Sequence, residues 1–215
     1  MLIRCLTLIL GLFLSLTLSA GSALAHPHVQ VKARAELVFD ASGNFTAIRH
    51  IWEFDELYSA FATTGLAKNP KGQVTAEALA ELAKVNVESL NEFEFFSFGK
   101  SAGRKLAFAE PNEYRLEDNG KLLTLYFTLP LKAPAPGKTV TVEVFDPSYY
   151  VAFAFEPGNA VSLDGAAAGC KLTVKRPSDG VAAKARSLGE TYAQSLSADA
   201  GLASQIENRV LVACP

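Results

Sequence analysis

The stretch Val29-Gln30-Val31-Lys32-Ala33-Arg34-Ala35-Glu36-Leu37-Val38-Phe39 decides the fold. Its odd-numbered positions are apolar, while Gln30, Lys32, Arg34 and Glu36 occupy even ones. Successive side chains of a strand point to opposite faces, so this alternation marks a half-buried β-strand. Asp40-Ala41-Ser42-Gly43-Asn44 is a turn cluster. A second strand runs from Phe45 to Phe54, with Ile48, Trp52 and Phe54 on its apolar face and Arg49 and Glu53 on its polar face. A hairpin with both apolar faces together requires paired residue numbers to sum to an odd value near 85. A slip of one residue would turn every side chain over.

Residues 55–91 break the β pattern. Asp55 to Thr64 reads as a short helix ended by Gly65. Thr75 can cap a second helix whose apolar face is Leu79, Leu82, Ala83, Val87 and Leu90. Strand signals return at 94–100, 104–110, 114–117, 121–131, 139–145 and 149–155, with a short strand from Cys170 and a last one at 209–214. Asp118-Asn119-Gly120 is a hairpin turn and 133–137 a loop. The aromatic run Phe93, Phe95, Phe96 and Phe98 is expected to be core. Val181, Ala185, Leu188, Tyr192 and Leu196 form a helical stripe. The expected architecture is α+β and mainly β: an antiparallel β-sandwich-like domain with a helical insertion at 55–91 and a C-terminal helix and strand.

Upstream of the first strand, residues 1–25 read as a secretory signal. Arg4 precedes a nearly all-apolar run from Leu6 to Leu18, and Ala23-Leu24-Ala25 offers small residues for cleavage. A cut after Ala25 leaves one periplasmic domain, residues 26–215, with no membrane insertion. That chain carries 19 Lys and Arg (all but Arg4 of the 20) against 22 Asp and Glu, which is no footprint for nucleic acid. Cys5 leaves with the signal. In an oxidising compartment the remaining pair, Cys170 and Cys214, is expected to form a disulfide tying the two last strands.

Two motif matches carry no chemistry. Gly99-Lys100-Ser101-Ala102-Gly103 fits G-x-S-x-G but joins two strand signals, and all three histidines precede the serine, so no serine hydrolase is expected. The loop 67–78 has the frame of an EF-hand with Gly72 at its sixth position. Ala67, Lys71 and Ala78 stand where calcium needs acids, so no calcium is expected there.

The histidines remain. His26 would be the mature N-terminus, so its α-amine and imidazole can chelate a metal ion, with His28 two residues on. Pro27 has no amide proton to lose, which excludes the usual square-planar amide-bound mode. His50 is the tempting third ligand, but the hairpin register places it opposite Ala35, roughly 20 Å along the strand from His28 and on the core face. The same register puts Asp55 opposite Gln30, diagonal to His28, which makes Asp55 the better third ligand, with Glu56 the fallback. Zinc, nickel and copper all suit such donors.

His26-Pro27-His28-Val29, Ile48 to Glu56, Lys84 to Leu90, Phe145 to Phe153 and the ending Asn208-Arg209-Val210 to Cys214-Pro215 together resemble a family of bacterial periplasmic proteins of unknown function. The resemblance spans nearly the whole mature chain. That family is catalogued as an uncharacterised ABC-type transport component, and its genes often neighbour nickel/cobalt-type permeases. Members often carry an intact acidic loop where this chain has Ala67 to Ala78. The resemblance implies an accessory to divalent transition-metal transport, partnered by an inner-membrane metal permease and without a catalytic site. Two other expectations stand beside it: a module that docks on and regulates the permease without metal, and a histidine-brace copper redox protein using His26 and His50.

Overall fold

β1 (Val29–Phe39) and β2 (Asn44–Phe54) form the expected hairpin. From Val31↔Phe54 to Val38↔Ala47 every pair has the predicted parity, and Ala35 faces His50. A bulge after Val38 shifts the last pair to Phe39↔Phe45. The computed structural model describes residues 28–178 and 207–215. Among these, β1 and β2 are joined by β3 (Ser97–Ser101), β4 (Arg104–Lys105), β5 (Tyr114–Asp118), β6 (Leu123–Pro136), β7 (Thr139–Val144), β8 (Val151–Phe155), β9 (Val161–Asp164), β10 (Lys171–Lys175) and β11 (Asn208–Ala213). One sheet runs β5-β6-β2-β1-β8 with β9 also on β1, and the other runs β10-β11-β7-β3-β4. Their inner faces share one apolar core in a sandwich-like arrangement, with Trp52, Phe45, Leu37 and Ile48 fully buried.

The helical insertion lies where the pattern broke. α1 (Glu56–Ala62) is capped by Asp55 and α2 (Ala76–Leu90) by Thr75, whose hydroxyl accepts the Ala78 amide. α2 turns Ala83 and Val87 into the core.

Four expectations need correction. The segment 94–100 is not one strand: Asn91–Phe96 is a 3₁₀ turn, and Glu94, Phe95 and Phe96 have φ of 51°, 54° and 47°. Three consecutive left-handed residues cannot lie in a pleated strand. Of the expected strand 104–110 only Arg104–Lys105 pairs, with an isolated bridge from Phe108 to Leu131. The expected loop 133–137 is mostly the end of β6, where Ala135 and Pro136 still pair with Phe45 and Asn44. Proline is tolerated where its missing amide has no strand to serve. The first sheet is also not purely antiparallel: β8 and the unforeseen β9 both run parallel to β1, along its first and second halves. An eleven-residue strand leaves an edge long enough for two short ones. The expected helix over 181–196 lies outside the described residues.

Asn208, fully buried, ties the two sheets together. Its Oδ1 accepts the Phe155 amide at 3.1 Å and its Nδ2 donates to the carbonyls of Phe153 at 2.8 Å and Val144 at 3.4 Å. The Cys170–Cys214 disulfide flanks the Lys171↔Ala213 pair, joining β10 to β11 as expected. A disulfide is compatible with export to an oxidising compartment. No helix among the described residues is long and apolar enough to cross a membrane.

Candidate amino-terminal site and the groove beside it

His28 opens the described chain, exposed, just before β1. Its amide donates to the Tyr150 carbonyl at 2.9 Å, and its imidazole lies 4.5 Å from the Tyr150 ring centre to centre. The chain therefore enters the sandwich at a defined point, between β1 and the turn that precedes β8. His26 lies outside the described residues.

Asp55 sits where the register puts it, and its carboxylate is engaged. Asp55 N donates to Gln30 O at 3.0 Å, while Oδ2 accepts the Gln30 amide at 2.6 Å. Oδ1 accepts the Tyr58 amide at 2.9 Å and caps α1. The residue closes the open end of the β1–β2 ladder and starts the helix at the same time, so both oxygens serve the backbone. Asp55→Ala should lower stability by about 2 kcal/mol, a lost cap plus a lost strand-end bond. Urea unfolding measures that cost, and a metal titration of the same variant should match the parent. Glu56 pairs with Lys121 at 2.7 Å on the surface. No cluster of three or more His, Cys, Asp or Glu side chains suited to a metal occurs among the described residues.

His50 is 1% exposed and stacks on Phe127, with Trp52 edge-on. Ser97 donates its hydroxyl to the Phe95 carbonyl, so the 3.1 Å contact with His50 is Nε2–H donating to Ser97 Oγ. Nδ1 then carries a lone pair with no partner among the described residues. Burial pushes the imidazole pKa down from 6.5 to about 3. Below pH 6.5 the unfolded chain takes up a proton that the folded chain refuses. This stability term is therefore full above pH 6.5 and falls as the pH drops towards 3. Between pH 7.5 and pH 5 the wild type should lose about 2 kcal/mol more than His50→Leu in urea melts at both pH values. Equal losses would mean that His50 protonates without unfolding. A residue so enclosed cannot brace a metal with the amino terminus.

Pattern reading missed a groove next to His28, because its parts are far apart in sequence. It measures about 460 Å³ and is lined by Trp52, Phe54, Leu90, Phe93, Phe96 and Tyr150, among others. Phe95 and Phe96 are core as expected, but Phe93 is 53% exposed and stacks on Phe96 at the groove wall. Asp146 also borders it, with its carboxylate accepting the amides of Ser148 and Val151 and the Ser148 hydroxyl. Tyr58 reaches across from α1 to hydrogen-bond Asn86 of α2 at 3.2 Å. The loop 67–78 is held by Asn69, whose Oδ1 accepts the amides of Lys71 and Gln73.

A family model described as "Protein of unknown function (DUF1007)" matches residues 11–214. A protein of Haemophilus influenzae, itself described as uncharacterised, is 24% identical over 213 residues, covering 97% of this chain and 98% of its own length.

Proposed function

Because the chain belongs to this family of unknown function, we propose that it is a periplasmic, non-catalytic accessory protein for divalent transition-metal transport. It would bind a zinc, nickel or cobalt ion as cargo at its mature amino terminus and exchange it with an inner-membrane permease. The observation that carries the reading is the anchored, exposed His28 two residues after His26. The donors are the α-amine and imidazole of His26 and the imidazole of His28, with Asp55 kept to its capping role. Closed structural zinc sites use four protein ligands, whereas sites that exchange a ligand keep a position open. A two-histidine terminus leaves positions for water or for a receiving protein's donors, which suits hand-over. Copper is a further candidate by donor type.

Calorimetric titration of zinc, nickel, cobalt and copper(II) into protein that begins at His26 tests this. One saturating equivalent per chain supports the reading, and the absence of binding by all four ions overturns it. A second reading, a module that docks on the permease without metal, is favoured by the apolar groove and would take its place in that case.

A further inference from the structure

We infer that the groove beside His28 is a docking site for a basic amphipathic segment of a partner protein, bound in the helix-in-groove manner. The inference rests on the reading that this protein works with a partner, and it names the surface and the chemistry of that contact.

Three observations carry it. First, the groove lining is aromatic and open: Phe93 and Tyr150, 53% and 50% exposed, line it together with buried Trp52. Large apolar side chains left exposed together mark interaction surfaces. Second, strained backbone sets both of these exposed aromatics. Of the five non-glycine residues with positive φ among the described residues, Glu94, Phe95 and Phe96 set the Phe93–Phe96 wall, and Tyr149 (φ 56°) sets Tyr150. Left-handed backbone at such residues is strained, persists only where the surrounding structure holds it, and clusters at binding sites.

Third, the charge on and beside the groove is mainly acidic. No Lys or Arg lines it, while Asp146 does, and the hydrogen bonds to the Asp146 carboxylate come from neutral groups. Glu88 and Glu92 are exposed and each precedes a lining residue, Ser89 and Phe93; Glu88 also lies 4.0 Å from the Lys84 ammonium, a surface pair that screens it only weakly. From residue 55 to 94 acids outnumber lysines seven to three, although the whole chain carries only −2. An apolar trough in an acidic surround complements a helix with an apolar stripe at i, i+3, i+4 and i+7 and lysine or arginine beside it.

The chain has one tryptophan, and it lies in the groove, so its emission reports occupancy. The experiment titrates the processed protein, in chelator and free of metal, with a tryptophan-free Leu/Lys amphipathic peptide. The control is the same peptide with Glu in place of Lys. The expected result is a saturable shift of Trp52 emission with the lysine peptide alone. Phe93→Ser, a half-exposed position, should weaken it at least about tenfold, and so should the surface reversal Glu88→Lys/Glu92→Lys, which should also turn the preference towards the glutamate peptide. Circular dichroism confirms that each variant is folded. Equal binding of both peptides, or indifference to the charge reversal, would overturn the proposal. So would concentration-dependent self-association that shifts Trp52 without peptide, or binding only of an uncharged aromatic probe such as N-phenyl-1-naphthylamine. Metal titration of the same variants keeps the two readings apart: loss of peptide binding with metal binding intact removes only the docking surface.

Discussion

Protein that starts at His26 and carries His26→Ala and His28→Ala should bind zinc at least about a hundredfold more weakly than its parent, a loss of roughly 2.7 kcal/mol. Both imidazoles are removed and only the α-amine is left, and no described cluster of metal-binding side chains can substitute. The same logic predicts a milder effect from an added Gly-Ser before His26. That extension converts the amine to an amide and should cost about tenfold. Affinity in the parent should fall as the pH drops through 8, since a free α-amine titrates near 8 in model peptides and only its neutral form binds. Isothermal titration at two pH values separates these contributions. Indistinguishable isotherms for parent and double variant would remove the amino-terminal site.

Cys170→Ser/Cys214→Ser should lower stability by about 4 kcal/mol on the chain-entropy account, because the bridge spans 44 residues. Domains of this size are stable by about 5–15 kcal/mol in all, so the loss is a large share. The bridge joins β10, at the edge of its sheet, to β11, which also pairs with β7. Hydrogen exchange on the variant should therefore quicken first in β10, while β11 and β7 keep more protection. Urea unfolding without reductant gives the global cost, and a difference below about 1 kcal/mol would show that strand pairing alone closes this loop.

The hairpin shows how far pattern reading reaches. Alternation over Val29–Phe39 and Phe45–Phe54 leaves one parity in which both apolar faces meet the core, so His50 had to face Ala35 and turn inward. The cap at Thr75 was legible for a similarly local reason, since it opens an amphipathic run, whereas Asp55, read as the first helical residue and a candidate ligand, is the cap of α1. Asp55 also shows the limit. Its place opposite Gln30 followed from the register, but the engagement of both its oxygens depended on how α1 leaves the sheet.

Phe93, Phe95, Phe96 and Phe98 form a single run whose residues meet different fates. The left-handed turn at 94–96 buries Phe95 and Phe96 and leaves Phe93 on the groove wall. Nothing in the spacing of those phenylalanines announces that turn, because no glycine or asparagine stands at its positive-φ positions.

The sequence by itself determined the half-buried hairpin and its register, the cap at Thr75, the cysteine pairing and the core position of His50. Each follows from local periodicity, local backbone chemistry or the scarcity of alternatives. Only the tertiary structure decided that β8 and β9 run parallel to β1, that Asp55 is spent on the backbone and that an aromatic groove bordered by Asp146 opens beside His28. The groove alone joins residues 29, 52, 93, 146 and 150 across three separate parts of the chain. Their meeting is a property of how the sheets, helices and turns pack, which no single stretch of sequence contains.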